Sequence, residues 1–399
     1  MSVALLAPVA SLLRQRPEEF RNIVHEQLFA RHPQARHVFG VTASRGHAEL
    51  APALAWALER AGEGPRINDD VLARMRRLGL AHRRHGFPID LYEDFAAIVT
   101  QSLAELNSSC GAQLSDDSLH RAAEVTEALC RAMAASAHTA DMSGIAPAYA
   151  AMVTQVQRVS ASTSIVRARV QSGPEISPGQ AVPVSASYAS GLWRPLVPAT
   201  PVNPAGDMEF HVTNVEGGQA SGLFAAARVG DQWTLGAPLQ PVEFPHCSRL
   251  GLLSFGTGLA AAESLIFSCL DNLSRPSVHL TMVADSPSEL YDLDRMQRLA
   301  RNARWFDVSP ISHSEQDQWW VPRSGRPRLH ARDVNAEVGD ASLACERVMS
   351  QAPEAVVIAG PDDAVTQARS CLTQLGLPED AMRIVSFQRH GRWPALNED

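Results

Sequence analysis

Gly251-Leu252-Leu253-Ser254-Phe255-Gly256-Thr257-Gly258-Leu259-Ala260 decides the fold of the last third of this chain. A short apolar run meets a Gly-x-Gly turn and then an apolar stretch reaching Leu270, which reads as strand, tight turn and helix. Glycine permits close backbone approach, and a helix N-terminus favours an anion. The alternation continues toward the C-terminus. Strands are predicted over 278–283, near Asp307 and over 355–359, with helices over 289–301, 341–350 and 364–375. Such alternation predicts a parallel, doubly wound sheet. Upstream, residues 165–170, 181–184, 210–215 and 232–235 are short runs parted by turns such as Ser172-Gly173-Pro174 and Val229-Gly230-Asp231. That is the pattern of an antiparallel barrel or sandwich. Earlier still, apolar residues recur at three- and four-residue spacing, so residues 1–145 are predicted to be helical, with a small, polar hinge over 140–164.

Composition narrows the function. The 399 residues are 45% hydrophobic and 20% charged, ordinary values for packed cores. A net charge of −8 offers no field for nucleic acid or acidic lipid. All 35 basic residues are Arg, which excludes Schiff-base, phosphate-loop and kinase lysine chemistry together. The six cysteines, Cys110, Cys130, Cys247, Cys269, Cys345 and Cys371, form no C-x-x-C pair and suit a reducing compartment. The apolar run 3–13 lacks a preceding basic region, and no stretch reaches the ~20 apolar residues of a membrane span. A cytoplasmic protein without a membrane span is expected.

Eight of the 14 histidines lie in the first 145 residues. Leu78 and His82, four apart, share one helix face, as a wall residue and an iron ligand do on a haem-binding helix. His85 lies three residues on, so either histidine could face inward. The spacings to Leu78 and Tyr92 favour His82, and His85-Gly86 reads as a helix end. A zinc site using both has no carboxylate or Cys at matching spacing. The run from Phe29-Ala30-Arg31-His32-Pro33 through Phe39 to His82 and Tyr92 resembles the globin domain of flavohaemoglobins. The resemblance implies haem b with His82 as proximal ligand, Phe39 packed on the porphyrin, and Tyr92 orienting the ligand ring. It also marks departures. His25 stands where the family has a distal Tyr, and a neutral imidazole can still donate to O2. Glu49 stands near the place of a common Gln, and Ser136 near that of a proximal Glu.

The rest of the chain resembles the reductase module of the same family. Arg194-Pro195-Leu196-Val197 sits where the family has R-x-Y-S, so Arg194 is implied on the flavin phosphate. Leu196 and Val197 lack the aromatic face and hydroxyl that hold the flavin ring. Gly217-Gly218-Gln219-Ala220-Ser221 resembles the pyrophosphate turn, implying Gly217, Gln219 and Ser221 as FAD contacts. Gly256, Thr257 and Gly258 resemble the nicotinamide-dinucleotide turn, and Phe387 the aromatic that covers the flavin. Ala284-Asp285 and Ala359 stand where the family has Arg and Cys.

The resemblance thus implies a multidomain chain: an all-α globin (1–145), an antiparallel β-barrel FAD domain (146–245) and an α/β Rossmann-like NAD domain (246–399). It implies a nitric oxide dioxygenase, with O2 and NO as ligands, NAD(P)H and FAD as electron source, and His25 and Tyr92 in the catalytic pocket. The lost flavin-ring residues leave two other readings open. One is a donor other than NAD(P)H, and the other is a haem ligand sensor or scavenger with a structural reductase half.

Overall fold

The computed structural model describes residues 2–36, 48–62, 64–189, 191–215, 218, 221–244, 246–270, 272, 274–317, 329–387 and 393. The chain divides into two compact units: Met1–Ala148, to which Trp393 also belongs, and Tyr149–His390.

The first unit is helical: α1 (Ser2–Gln15), α2 (Pro17–Arg31), α3 (Leu50–Arg60), α4 (Asp69–His82), α5 (Leu91–Ser109) and α6 (Asp116–Met142). Pro17 opens α2, and Glu18 and Glu19 follow it where the helix dipole favours negative charge. Ser115 caps α6 by accepting from the Ser118 amide at 3.1 Å. The apolar stripes of these helices bury Phe20, Val24, Leu28, Leu58, Ile98, Leu103, Leu106 and Val125 in one core. The α4–α6 contact is backbone-close at Gly79, where an added Cβ would fall 2.7 Å from both Met133 Cα and Ser136 Oγ. Ser136 donates to the Arg76 carbonyl at 2.8 Å, fastening the same joint. As the sequence indicates, α4 gives way to a 3₁₀ turn (Arg83–His85) that ends on left-handed Gly86, φ +71°.

The second unit holds two six-stranded sheets. The first is antiparallel, built from β1 (Ala148–Arg158), β2 (Thr163–Val170), β3 (Val182–Ala186), β4 (Arg194–Leu196), β5 (Asp207–Thr213) and β6 (Gln232–Gly236), in the order β4-β3-β6-β1-β2-β5. Just past β4, Pro198 bridges Phe210 and the Ala199 amide donates to the Glu209 carbonyl at 2.8 Å, nearly closing a barrel. Trp233 fills it against Phe210 and Phe224. A short helix, α7 (Ser221–Ala225), follows β5.

The second sheet is wholly parallel among the described residues. It contains β7 (Arg249–Phe255), β8 (Ser277–Ala284), β9 (Phe306–Ser312), β10 (Glu337–Val338), β11 (Ala355–Gly360) and β12 (Met382–Ser386), in the order β10-β9-β8-β7-β11-β12. Helices α8 (Leu259–Ser268), α9 (Leu293–Asn302), α10 (Ala341–Met349) and α11 (Asp362–Gln374) connect it. The order reverses between β7 and β11, the switch point where doubly wound sheets bind ligands.

Three sequence expectations need correction. Residues 148–158 are not hinge but strand β1, whose exposed positions are Ala150, Met152, Gln155, Gln157 and Arg158 and whose only buried residues are Ala151 and Val153. The helix expected over 289–301 begins only at Leu293, because Asp292 is left-handed (φ +60°) and Leu290 and Tyr291 are both buried in the turn before it. Trp393, expected with the last domain, packs in the helical unit.

Candidate functional site

The last turn of α4 places His82, and the first turn of α5 places Tyr92, with the Arg83–Tyr92 turn between them. Tyr92 Oη lies 3.4 Å from His82 Nδ1, a long contact for a hydrogen bond. Phe87 fills the angle between them, its ring 6.2 Å from His82, 4.9 Å from Tyr92 and 6.0 Å from Phe95. Burial, reinforced by His85 and Arg84, pushes the His82 imidazole down to about 3, so the ring is neutral at pH 7. Burial pushes the Tyr92 phenol up, so its proton stays in place. His85, the competing histidine, is exposed.

This donor set fits a haem iron. With Nδ1–H pointed at Tyr92 Oη, the lone pair of a neutral imidazole remains on Nε2. Arg83 anchors the turn from below: its guanidinium meets Asp141 (2.8 Å from Nε) and the Ile145 carbonyl. His25 is buried on α2, 5.2 Å from the Phe29 ring, and burial together with Arg21 lowers its pKa. Ser136 is taken up by the α4–α6 joint. Phe39 lies outside the described residues.

At the switch point, Gly256 is left-handed (φ +53°) with open space where a Cβ would stand. Gly258 is there for packing: a Cβ would fall 2.5 Å from the Ala359 carbonyl carbon and 2.9 Å from the Gly360 amide. Phe387 donates its amide to the Gly360 carbonyl at 3.3 Å. The chain therefore brings Gly256, Thr257, Gly258, Gly360 and Phe387 to the carboxyl ends of adjacent strands.

The barrel residues are less convergent. Arg194 is exposed and donates to its neighbour's carbonyl, Trp193 O, at 2.9 Å. Val197 is buried in the core shared with the parallel sheet, and Leu196 is half-buried. Ser221 Oγ accepts from the Val215 amide at 3.1 Å, closing its own loop. Gly217 and Gln219 lie outside the described residues. Sequence reasoning missed the wall formed by Phe87 and Phe95, whose signal was three aromatic rings in the nine residues after Gly86. It also missed Arg83–Asp141, a long-range pair with no local signature.

The architecture is thus a globin-like helical unit followed by a barrel and a doubly wound sheet of the kind that carries flavin and nicotinamide nucleotides. Residues 150–244 match the oxidoreductase FAD-binding domain family. The chain is similar in structure to a flavohaemoglobin of Malassezia yamatoensis with bound FAD and haem (TM-score 0.70, 15% identity, covering 97% of this chain and 98% of that one). At that identity the likeness shows the fold, and the fold is a flavohaemoglobin's. A cytochrome P450 reductase of Amycolatopsis matches over 60% of this chain and 69% of its own (TM-score 0.51, 21% identity). Curated relatives include the reductase component of a Pseudomonas phenol 2-monooxygenase, 30% identical over 31% of this chain and 36% of the relative. Another is the ferredoxin–NAD(P)+ reductase component of the Pseudomonas putida naphthalene 1,2-dioxygenase system, 32% identical over 37% and 44%. The chain spans about a third to a half of the length of the curated relatives it matches. Among the described residues, no helix is long and apolar enough to cross a membrane.

Proposed function

We propose that the chain is a flavohaemoglobin-type oxidoreductase that holds haem b on His82, draws electrons from NAD(P)H through FAD, and oxidises nitric oxide to nitrate with O2. The observation that carries the reading is the neutral His82 imidazole, faced at Nδ1 by Tyr92 and walled by Phe87, in a chain with a flavohaemoglobin's fold. When bound, haem would supply ligand and redox chemistry, and FAD would divide a hydride into single electrons. His82 would hold the iron through Nε2. Tyr92 would accept from Nδ1–H and fix the ring's orientation. Phe87 would wall the His82 side, with Phe95 behind it. His25, neutral at pH 7, carries one N–H that can stabilise a small ligand by hydrogen bonding. Open space at Gly256 suits a nucleotide, and Arg194 would hold the flavin phosphate. Leu196 can give a flavin ring only apolar contact, and the Val197 side chain is taken up by the core.

That last feature favours the second reading, in which electrons come from a donor other than NAD(P)H. The visible spectrum of purified protein mixed anaerobically with NADH tests both. A haem band with flavin that bleaches, then ferrous haem, supports the full path. Flavin that NADH leaves oxidised supports the other donor. Absence of a haem band in both wild type and haem-supplemented protein refutes the proposal.

A further inference from the structure

The junction between the barrel and the parallel sheet holds four potential ligand side chains that the proposed activity does not use. Glu209 and His211 stand two apart on β5 and so share one face. Glu263 enters from α8, and Asp292 from the turn before α9. One ligand atom from each lies within 4.8 Å of all the others. His211 Nε2 is 3.5 Å from Glu209 Oε1 and 3.9 Å from Glu263 Oε2.

An acidic cluster alone would mean little, but this one leaves polar atoms unmet. The side chains of His211 and Glu263 are fully buried, and neither His211 Nε2 nor Glu263 Oε1 has a hydrogen-bond partner. The surroundings are also built as a metal's are. His211 Nδ1 lies 3.1 Å from the buried hydroxyl of Tyr291, and in the tautomer in which Tyr291 accepts from Nδ1–H, Nε2 is left to hold an ion. Arg167 Nε holds Glu209 Oε2 at 2.6 Å. Buried carboxylates need a proton or a cation beside them, and here the cation in place is the Arg295 guanidinium.

Arg295 stands at the mouth. Its Nη1 lies 3.0 Å from Glu209 Oε1, 3.3 Å from Glu263 Oε2 and 3.1 Å from Asp292 Oδ2. Arg295 is 31% and Asp292 21% exposed, whereas the other ligands are buried, so this side is the way in. Glu209, Glu263 and Asp292 share two guanidinium groups, Arg295 and Arg167. With Arg295 turned out to solvent and all three carboxyls ionised, a divalent ion balances them together with Arg167.

We propose that Glu209, His211, Glu263 and Asp292 form a binding site for a first-row divalent cation that displaces Arg295 and ties the barrel to the parallel sheet. Binding is ligand exchange: the ion gains one imidazole nitrogen and three carboxylate oxygens, while the guanidinium and the proton on the Glu263 carboxyl leave to water. Imidazole with carboxylates suits Mn2+, Fe2+ or Zn2+ better than Mg2+ or Ca2+. The site is independent of the proposed haem chemistry.

The test is Mn2+ titration of the EDTA-treated full-length protein, following the six-line EPR signal of free Mn2+. Manganese discriminates against the cysteines. One ion per chain is expected, with at least tenfold weaker binding in Glu263→Gln and in His211→Asn. Arg295→Met removes the competing cation and binds at least tenfold more tightly. Circular dichroism identifies any variant that fails to fold, and Arg295→Met, at the solvent-facing mouth, tests the site without touching a ligand. No stoichiometric binding by the wild type overturns the proposal, and so does Mn2+ binding that Glu263→Gln and Arg295→Met both leave unchanged. Binding by Arg295→Met alone also overturns it for the natural chain, where the cluster is then an ion-pair lock.

Discussion

Gly79→Ala tests whether the histidine-bearing helix is held by backbone contact. On an exposed helix this change stabilises by about 1 kcal/mol. Here the new Cβ would fall 2.7 Å from Met133 Cα and 2.7 Å from Ser136 Oγ, where ordinary contact begins at 3.4 Å. The helices must therefore part by roughly 0.7 Å or more, and backbone cannot rotate aside as a side chain can. Overpacking of this kind costs about 1–3 kcal/mol. With the clash at the stiff end of that range, the net expectation is a loss of about 1–2 kcal/mol. For a unit of this size that lowers the melting temperature by roughly 3–8 °C, read by far-UV circular dichroism of the full chain. Ser136→Ala added to Gly79→Ala should recover only part of the loss, since Met133 Cα remains. A single variant that melts at or above the wild type would refute the reasoning, as would full recovery in the double variant.

Tyr92→Phe removes a hydroxyl 3.4 Å from His82 Nδ1, so thermal stability should fall by less than about 1 kcal/mol. The loosened ring should instead show in the iron–histidine stretching frequency of haem-loaded protein, and an unchanged frequency would remove Tyr92 from the orienting role. His25 has a lowered pKa in the fold, so below pH ~6.5 the unfolded chain takes up a proton that the folded chain refuses. Stability should therefore fall as pH drops through that region, and His25→Gln should flatten that part of the stability–pH curve measured by urea unfolding. Trp393 meets Trp56 edge-to-face (5.4 Å), the Arg74 guanidinium lies 3.8 Å from the Trp393 ring and 4.3 Å from the Trp56 ring, and Arg14 donates to the Trp393 carbonyl. Trp393→Ala should cost about 1–2 kcal/mol, seen as a lower melting temperature of the helical unit, and no shift would show that these contacts contribute nothing.

The order of helices, barrel and doubly wound sheet was legible because each imposes its own period on many residues. β7 reads from Leu250, Leu252 and Leu253, and α8 from a mostly apolar run broken only by Glu263 and Ser264 before its last residue, since both elements are buried among neighbours. β1 was not legible. Its partners β2 and β6 determine it, and its sequence, Ala-Tyr-Ala-Ala-Met-Val-Thr-Gln-Val-Gln-Arg, carries too little apolar alternation to show that. The left-handed Asp292 was equally hidden, because Leu290, Tyr291 and Leu293 fit a helical stripe and only the core they enter selects the turn.

Site residues divide along the same line. The His82–Tyr92 contact was readable because a helix end and the next helix start lie ten residues apart, so local geometry brings them together. Gly258, expected to let the backbone approach a nucleotide, is required instead by the backbone of Ala359 and Gly360, partners that lie about a hundred residues on and leave no local signal. Glu209 and His211 carried a signal that was passed over: polar residues at i and i+2, between Met208, Phe210 and Val212, in a strand buried on both faces. Period two places both side chains on one face, and a buried face tolerates charge only where partners wait. What no local pattern contains is who those partners are. Glu263, Asp292 and Arg295 come 52 to 86 residues downstream, and only the packing of the parallel sheet on the barrel turns two odd residues in a strand into a four-ligand cluster.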